Sequence, residues 1–438
     1  MKAYGEGDTV RAHMPGHKGR GDLLARYDLT EVAGADSLFE ADGIIRESEE
    51  NASRLFGAHT FYSTEGSSHG IRAMVYLVSL YAKENGKEPL ILAARNAHKA
   101  FLSALALTGV DVEWMLPEVH ESYLSMRVTP SELDARLCAM QRKPAAVYIT
   151  SPDYLGVMSD IAGLAEVCHS HGVLLAVDNA HGAYLRFLPK DRHPIALGAD
   201  LCCDSAHKTL PVLTGGAYLH ISREAPSGFC DRAKMALSLF GSTSPSYLIL
   251  RSLDAANALL DGEYRGALAA FLLKVEALKT ALTAHGYTLL GDEPLKLTIH
   301  ATEYGYEGTA LADRLREQGI ECEFCDREFL VLMLSPSNTD GELEQIERAL
   351  AELPRGTASA PAGDGRLSFL PVRVTSVREA MTSPCEKLPL EGCVGRVAAA
   401  TVAGCPPAVP IVVSGERIDE SVAAMLRDYG FEWLWVIR

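Results

Sequence analysis

The sequence has no long hydrophobic run. No stretch reaches the ~18 uninterrupted apolar residues of a membrane-spanning helix, and the opening M-K-A-Y-G-E-G-D runs on to His17, Lys18 and Arg20 without the apolar core of a secretion signal. Neither a spanning helix nor a signal peptide is expected, so the expected compartment is the cytoplasm and no membrane partner is expected. Basic charge is scarce too: 41 Lys and Arg against 57 Asp and Glu leave a net charge of −16. Proteins that hold nucleic acid by its phosphates draw affinity from clustered Lys and Arg, so nucleic acid is not an expected partner. Cys322 and Cys325 form a C-x-x-C without a second pair or nearby histidines, and no metal is expected. The ten cysteines read as reduced thiols buried as small apolar groups. Repeats are missing, and low complexity is confined to 354–365.

With 47% hydrophobic and 22% charged residues the composition is that of a globular protein. At 438 residues the chain exceeds the size at which single cores stop growing, about 250 to 300 residues, so at least two domains are expected. Short apolar runs at 90–94, 145–150, 173–177, 201–203 and 217–221 read as strands, and amphipathic stretches separate them. That alternation predicts an α/β fold with a mostly parallel sheet covered by helices. Apolar spacing over 161–171, stopped by Gly172, predicts a helix that feeds the strand at 173. Ligands of such sheets sit beyond the carboxyl ends of the strands, and the residues there are polar. A helical pattern at 264–284 opens a second, small α+β unit with strands at 296–299 and 329–334 and helices at 308–318 and 341–353. The expected division is an N-terminal arm 1–20, a large domain 21–255, the small domain 256–353, a linker 354–365 rich in Gly, Ala, Ser and Pro, and a C-terminal segment 366–438.

The strongest local signal is Asp204-Ser205-Ala206-His207-Lys208-Thr209, just after an apolar strand and ahead of the turn pair Gly215-Gly216. Single lysines are mostly surface groups, but the neighbours of Lys208 suggest an imine-forming amine. Thirty positions earlier another strand ends in Asp178-Asn179-Ala180-His181, which places a carboxylate at the same sheet edge. A lysine that forms an imine and an aspartate that keeps a pyridine nitrogen protonated are what pyridoxal phosphate requires. The run Ser63-Thr64-Glu65-Gly66-Ser67-Ser68-His69-Gly70 leads into a helical pattern at 71–80, and amides at a helix start, with hydroxyls beside them, suit a phosphate. Taken alone it is a weak signal, because Ser and Gly before a helix are more often simple N-caps. His98, in Arg95-Asn96-Ala97-His98-Lys99, follows the strand at 90–94, where an imidazole can stack on a planar ring.

In chain order, H-M-P-G-H-K-G from His13 to Gly19, the Glu65-Gly66-Ser67-Ser68 loop, R-N-A-H-K, T-S-P-D-Y-L-G from Thr150, D-N-A-H-G, S-A-H-K, S-T-S-P-S-Y from Ser242, C-P-P-A-V-P and S-G-E-R resemble the Orn/Lys/Arg decarboxylase family. The resemblance covers most of the chain. It implies a fold-type I, aspartate-aminotransferase-like enzyme that uses pyridoxal phosphate to decarboxylate arginine, lysine or ornithine, giving an amine and carbon dioxide. It implies that Lys208 carries the imine, with Ser205, His207 and His181 beside it, and that Asp178 pairs with the ring nitrogen. Ala180 and His98 would cover the two ring faces, and Ser67 and Ser68 would hold the phosphate. Lys208, or His207 as the alternative, would return a proton to the substrate. A homodimer with shared sites is implied, in which Thr243 or Ser244 reaches the partner's phosphate; decamers built through an N-terminal wing are not expected. Another fold-type I activity, aminotransferase or lyase, and a non-catalytic binding protein are the alternatives. Two positions depart from the family pattern. Glu65 replaces a usual Asn, and Gly404-Cys405 and Ala408-Val409 flank the paired prolines. Glu65 and Asp153 are the candidates to meet a substrate's distal cation.

Overall fold

Seven short strands from the first half of the chain form one sheet: β1 (His59–Ser63), β2 (Leu90–Ala94), β3 (Asp111–Met115), β4 (Ala146–Thr150), β5 (Leu174–Asp178), β6 (Leu201–Asp204) and β7 (Ala217–Ile221). The computed structural model describes residues 1–438 apart from 8, 9, 23, 119–121, 358–366, 368 and 405–407. The strand order is β1-β7-β6-β5-β4-β2-β3, with β7 antiparallel to both its neighbours and the pairs from β6 to β3 parallel. The five strands expected from apolar runs are present, because a strand buried on both faces must be apolar throughout. The two that the runs did not reveal, β1 and β3, are the sheet's edges; their sequences H-T-F-Y-S and D-V-E-W-M mix polar and apolar residues and are only partly buried. Reversal into β7 needs Gly215, at φ +99, where a Cβ would lie 2.7 Å from the carbonyl oxygen of Thr64.

Helices cover both faces. Ser67–Glu84 crosses from β1 to β2 and lies close on the sheet: a Cβ on Gly70 would meet Cys203 Sγ at 2.4 Å. The expected helix before β5 is Ile161–Ser170, stopped by Gly172 at φ +65.

The second unit holds β8 (Leu289–Leu290), β9 (Lys296–His300), β10 (Phe324–Cys325) and β11 (Phe329–Met333) in the antiparallel order β10-β11-β9-β8. Its helices Tyr264–Ala284, Gly308–Arg316 and Asp340–Ala351 stand where the periodicity placed them. The boundary expected at 255 falls inside the helix Tyr247–Asp261, which ends at Gly262. Of the expected linker, 358–365 lies outside the described residues, as do Cys405, Pro406 and Pro407 of C-P-P-A-V-P. The C-terminal segment pairs β12 (Cys385–Pro389) with β13 (Trp433–Ile437) and shares a core with the large domain and the small unit, in which Ile411, Val412 and Leu434 meet Leu124, Leu155 and Phe329. Among the described residues no helix is long and apolar enough to cross a membrane.

Candidate active site

The loops after β2, β4, β5 and β6 converge on a cavity of about 230 Å³. Its walls are Asn96 and His98 beyond β2, Thr150, Pro152 and Tyr154 at and after β4, Asp178, Ala180 and His181 at the end of β5, and Lys208 after β6, with Ser67 at the start of its helix, Glu323 beside β10, and Ala408 and Val409 from the C-terminal segment. The parallel sheet thus gathers Lys208, Asp178, His98, Ala180, His181 and Ser67 from segments spread over some 140 positions.

Asp178 is fully buried. Its Oδ2 accepts from the Tyr148 hydroxyl at 3.1 Å and its Oδ1 from the Ala180 N–H at 3.2 Å. Burial pushes its pKa up, against the pull of the Lys208 charge and the Tyr148 hydrogen bond. His98 caps the helix Lys99–Thr108, its Nδ1 accepting from the Ala100 N–H at 3.1 Å. Burial, with the charge of Lys208 added, lowers its pKa to about 4, so at neutral pH the ring is uncharged and carries its hydrogen on Nε2. Lys208 Nζ lies 2.8 Å from His181 Nε2. Burial first, and then the charges of Lys208 and Lys296, hold His181 well below the ordinary histidine pKa.

Ser205 donates to Ser67 Oγ at 2.7 Å. The helix that starts there follows Gly66 (φ 72) and has no side-chain cap, so its first-turn amides and two hydroxyls form an anion cradle. An amine, a buried carboxylate, a flat neutral imidazole and this cradle fit pyridoxal phosphate. Asp204 ties the two motif loops together: its Oδ1 accepts from Asn179 Nδ2 at 2.7 Å, and its Oδ2 faces His193 and His220 Nε2 at 3.0 and 3.1 Å. These bonds hold its carboxyl well below the usual range despite burial.

Other expected site residues stand outside the cavity wall. Ser68 is the next residue of the first helical turn, and Ser205 is buried behind Ser67. His207 is half-buried with its Nδ1 3.0 Å from the Gly216 carbonyl oxygen. Thr243 and Ser244 are exposed in the turn between the helices Gly228–Phe240 and Tyr247–Asp261. Neither carboxylate considered for a distal cation lines the cavity. Exposed Glu65 accepts from the backbone N–H of Ser242 at 2.6 Å, and so holds the Thr243–Ser244 turn. Asp153 is buried within its own loop, accepting from Ser125 Oγ and from the Leu155 and Val157 amides at 2.6 to 3.0 Å, with its pKa raised by burial to about 6. The acid at the cavity mouth is Glu323, which accepts from the Tyr154 hydroxyl at 3.1 Å.

Two of the motifs meet in a buried ion pair. Arg95, fully buried, donates to Glu416 Oε2 at 3.0 Å and to the carbonyls of Pro410 and Ile411 at 3.0 and 3.1 Å. This joins R-N-A-H-K to S-G-E-R and seats Ala408 and Val409 over the site. Glu416→Ala leaves the guanidinium buried without its partner and is expected to cost about 3 to 5 kcal/mol in denaturant unfolding; a loss below about 1 kcal/mol contradicts that role.

Residues 7–286 match the family model "Orn/Lys/Arg decarboxylase, major domain", and 371–429 match "Orn/Lys/Arg decarboxylase, C-terminal domain". The chain belongs to the Orn/Lys/Arg decarboxylase family. An arginine decarboxylase of Halalkalibacterium halodurans is 30% identical over 97% of this chain and 91% of its own length. One of Bacillus subtilis is 29% identical over 96% and 90%. The solved lysine decarboxylase A from Pseudomonas aeruginosa superposes with a TM-score of 0.80 over 100% of this chain and 79% of its own, at 20% identity. The family and the α/β fold expected from the sequence are borne out.

The residues that sequence reasoning missed in this decarboxylase-family site are Glu323, Tyr154, Asn96 and Lys296. Glu323 lies inside the C-x-x-C, where attention goes to the thiols; Cys322 and Cys325 are half-buried rather than core. Lys296 opens β9 in K-L-T-I-H, where a lysine reads as a solvent-facing strand residue, yet it is 3% exposed. Tyr154 and Asn96 sit within motifs already singled out, and a strict scan of every polar residue in those loops would have found them.

Proposed function

We propose that the chain decarboxylates arginine to agmatine and carbon dioxide, with pyridoxal phosphate held on Lys208. Decarboxylation of a basic amino acid is the activity of the family; the choice of arginine follows the names of the relatives above. The observation that carries the reading is the pairing, in one cavity, of the Lys208 amine and the Asp178 carboxylate with Glu323 at the mouth. Bound there, the cofactor supplies a sink for the electron pair left when the substrate's carboxylate departs.

The chain's own residues do the rest. Lys208 Nζ binds the cofactor's carbonyl carbon. Asp178, held by Tyr148 and Ala180, keeps a proton on the ring nitrogen. His98 and the small Ala180, both in the cavity wall, would cover the two faces of the cofactor ring. Ser67, Ser68 and Ser205 hold the phosphate at the helix start, and Thr243 or Ser244 reaches it from the partner subunit. Both residues are exposed and outside their own cavity, as a contribution in trans requires. His181 steadies Lys208. Once released, Lys208 Nζ returns a proton to the substrate's α-carbon. His207 is the second candidate, because its Nδ1–H is spent on Gly216 O and Nε2 is left to exchange a proton. The walls supplied by Ala408, Val409 and Pro152 keep the reacting carbon from water. A cytoplasmic homodimer is the working form, a compartment consistent with the free thiols.

Glu323 accepts the guanidinium. Glu323→Gln is expected to lower kcat/KM for arginine about tenfold while pyridoxal phosphate binds as before, a modest factor because the carboxylate is exposed. Unchanged kcat/KM across arginine, lysine and ornithine contradicts that assignment.

A further inference from the structure

Lys296 belongs to no motif and touches no expected ligand, yet its ammonium is buried beside the site. Its Nζ lies 3.1 Å from the Asp153 carbonyl oxygen, 3.2 Å from that of Tyr154 and 2.7 Å from His181 Nδ1. The opposite ring nitrogen, Nε2, is 2.8 Å from Lys208 Nζ. One imidazole therefore bridges two amines.

Counting hydrogens limits what this bridge can be. Two carbonyl oxygens can only accept, so they use two N–H bonds of Lys296. A neutral imidazole has one hydrogen and one lone pair. If Lys296 is an ammonium, its third N–H fills Nδ1; the ring hydrogen is then on Nε2 and needs a lone pair on Lys208, which must be a neutral amine. If Lys208 is the ammonium, its N–H fills Nε2, the hydrogen moves to Nδ1, and Lys296 is neutral. If the ring is an imidazolium, both amines are neutral. No arrangement that makes both bonds holds more than one positive charge, so a charged Lys296 requires a neutral Lys208.

We infer that Lys296 sets the protonation state of Lys208 through the His181 imidazole, as the far end of a three-group chain that stores a single proton. This rests on the reading of Lys208 as the imine-forming lysine. At rest the charge belongs on Lys296, with Glu293, Asp153 and Glu323 around it and two carbonyls accepting from it. Burial lowers the pKa of Lys296 to about 8, against the pull of Glu293 and Asp153, so it stays charged at pH 7. Glu293 is itself held by the Tyr184 hydroxyl and the Lys296 backbone N–H. Around Lys208 and His181 the other titratable groups are Asp178, His98 and His207, and burial leaves both histidines uncharged at pH 7. Lys208 therefore waits as the nucleophilic amine. When it must take up a proton, Nε2–H passes to Lys208 Nζ while a Lys296 N–H passes to Nδ1. One N–H bond breaks and one forms at the ring, the charge moves from Lys296 to Lys208, and no proton comes from solvent. Lys296 is a positioning residue, acting through His181.

The test measures the rate at which cofactor-free protein forms its imine with pyridoxal phosphate across pH 6 to 10, with borohydride trapping to locate the label. In the wild type, with the charge on Lys296, Lys208 is expected to react as a neutral amine at pH 7. In Lys296→Met the single charge falls on Lys208, so the profile is expected to move up by about one pH unit or more, slowing attachment about tenfold at pH 7. An unshifted profile in folded Lys296→Met overturns the inference. The wild type gives a second measurement independent of that variant's folding. With 15N-labelled histidine, His181, assigned by its loss in His181→Gln, is expected to carry its hydrogen on Nε2 at pH 7; hydrogen on Nδ1 overturns the inference. Wild-type label found on a lysine other than 208 removes the parent reading, and this one with it.

Discussion

Lys208→Ala is expected to abolish the visible absorbance of the lysine imine in purified protein loaded with pyridoxal phosphate and to reduce turnover to background. Lys208 is the amine in the wall of the cavity that also holds Asp178 and His98. Without Nζ, the cofactor can be held only by noncovalent contacts to its phosphate and ring, and the conjugated imine cannot form. Substrate exchange then starts from a free carbonyl rather than an activated one, and the base that returns the proton is gone as well. Borohydride makes the test specific, because it fixes an imine permanently to the nitrogen that formed it. The second amine in reach of His181 is Lys296, whose Nζ lies 2.7 Å from Nδ1. Label found on Lys296 in the variant, with turnover retained, contradicts the assignment of Lys208.

Asp178→Asn is expected to leave the cofactor bound and to cut kcat by about 10² or more, a barrier increase of roughly 2.7 kcal/mol. The cofactor's attachment does not depend on the carboxylate, since Lys208 and the helix start remain. The electron sink does depend on it: a ring nitrogen keeps its proton beside a carboxylate and loses it beside an amide. Asparagine is nearly the same size and can still accept from Tyr148 or Ala180, so the change tests charge rather than packing. Turnover near that of the wild type removes the electronic role from Asp178.

What the sequence made legible follows from what each part of the fold must satisfy. β2, β4, β5, β6 and β7 are buried on both sides and announce themselves as apolar runs, and the residues that follow them carry the chemistry at the strands' carboxyl ends. Lys208, Asp178 and His98 were found on that ground. The edge strands β1 and β3 mix polar with apolar residues and gave no run. Glu323 and Lys296 come from the small unit, 115 and 88 positions beyond Lys208, and nothing local marks a residue whose role depends on another domain folding back over the site. The misplacement of Asp153 has a comparable cause. A carboxylate in the T-S-P-D-Y-L-G loop can face a ligand or close its own loop, and only the amides of Leu155 and Val157, both bonded to Oδ1, decide for the loop.

The measurement that tests the central claim most directly is carbon dioxide evolved together with amine formed, from purified protein loaded with pyridoxal phosphate and offered arginine, lysine and ornithine separately. Equal amounts of carbon dioxide and agmatine from arginine, with much less product from the other two, are the predicted result. A loaded protein that releases no carbon dioxide from any of the three, or that converts its cofactor to the amine form without releasing it, contradicts the claim that this chain is a basic amino-acid decarboxylase.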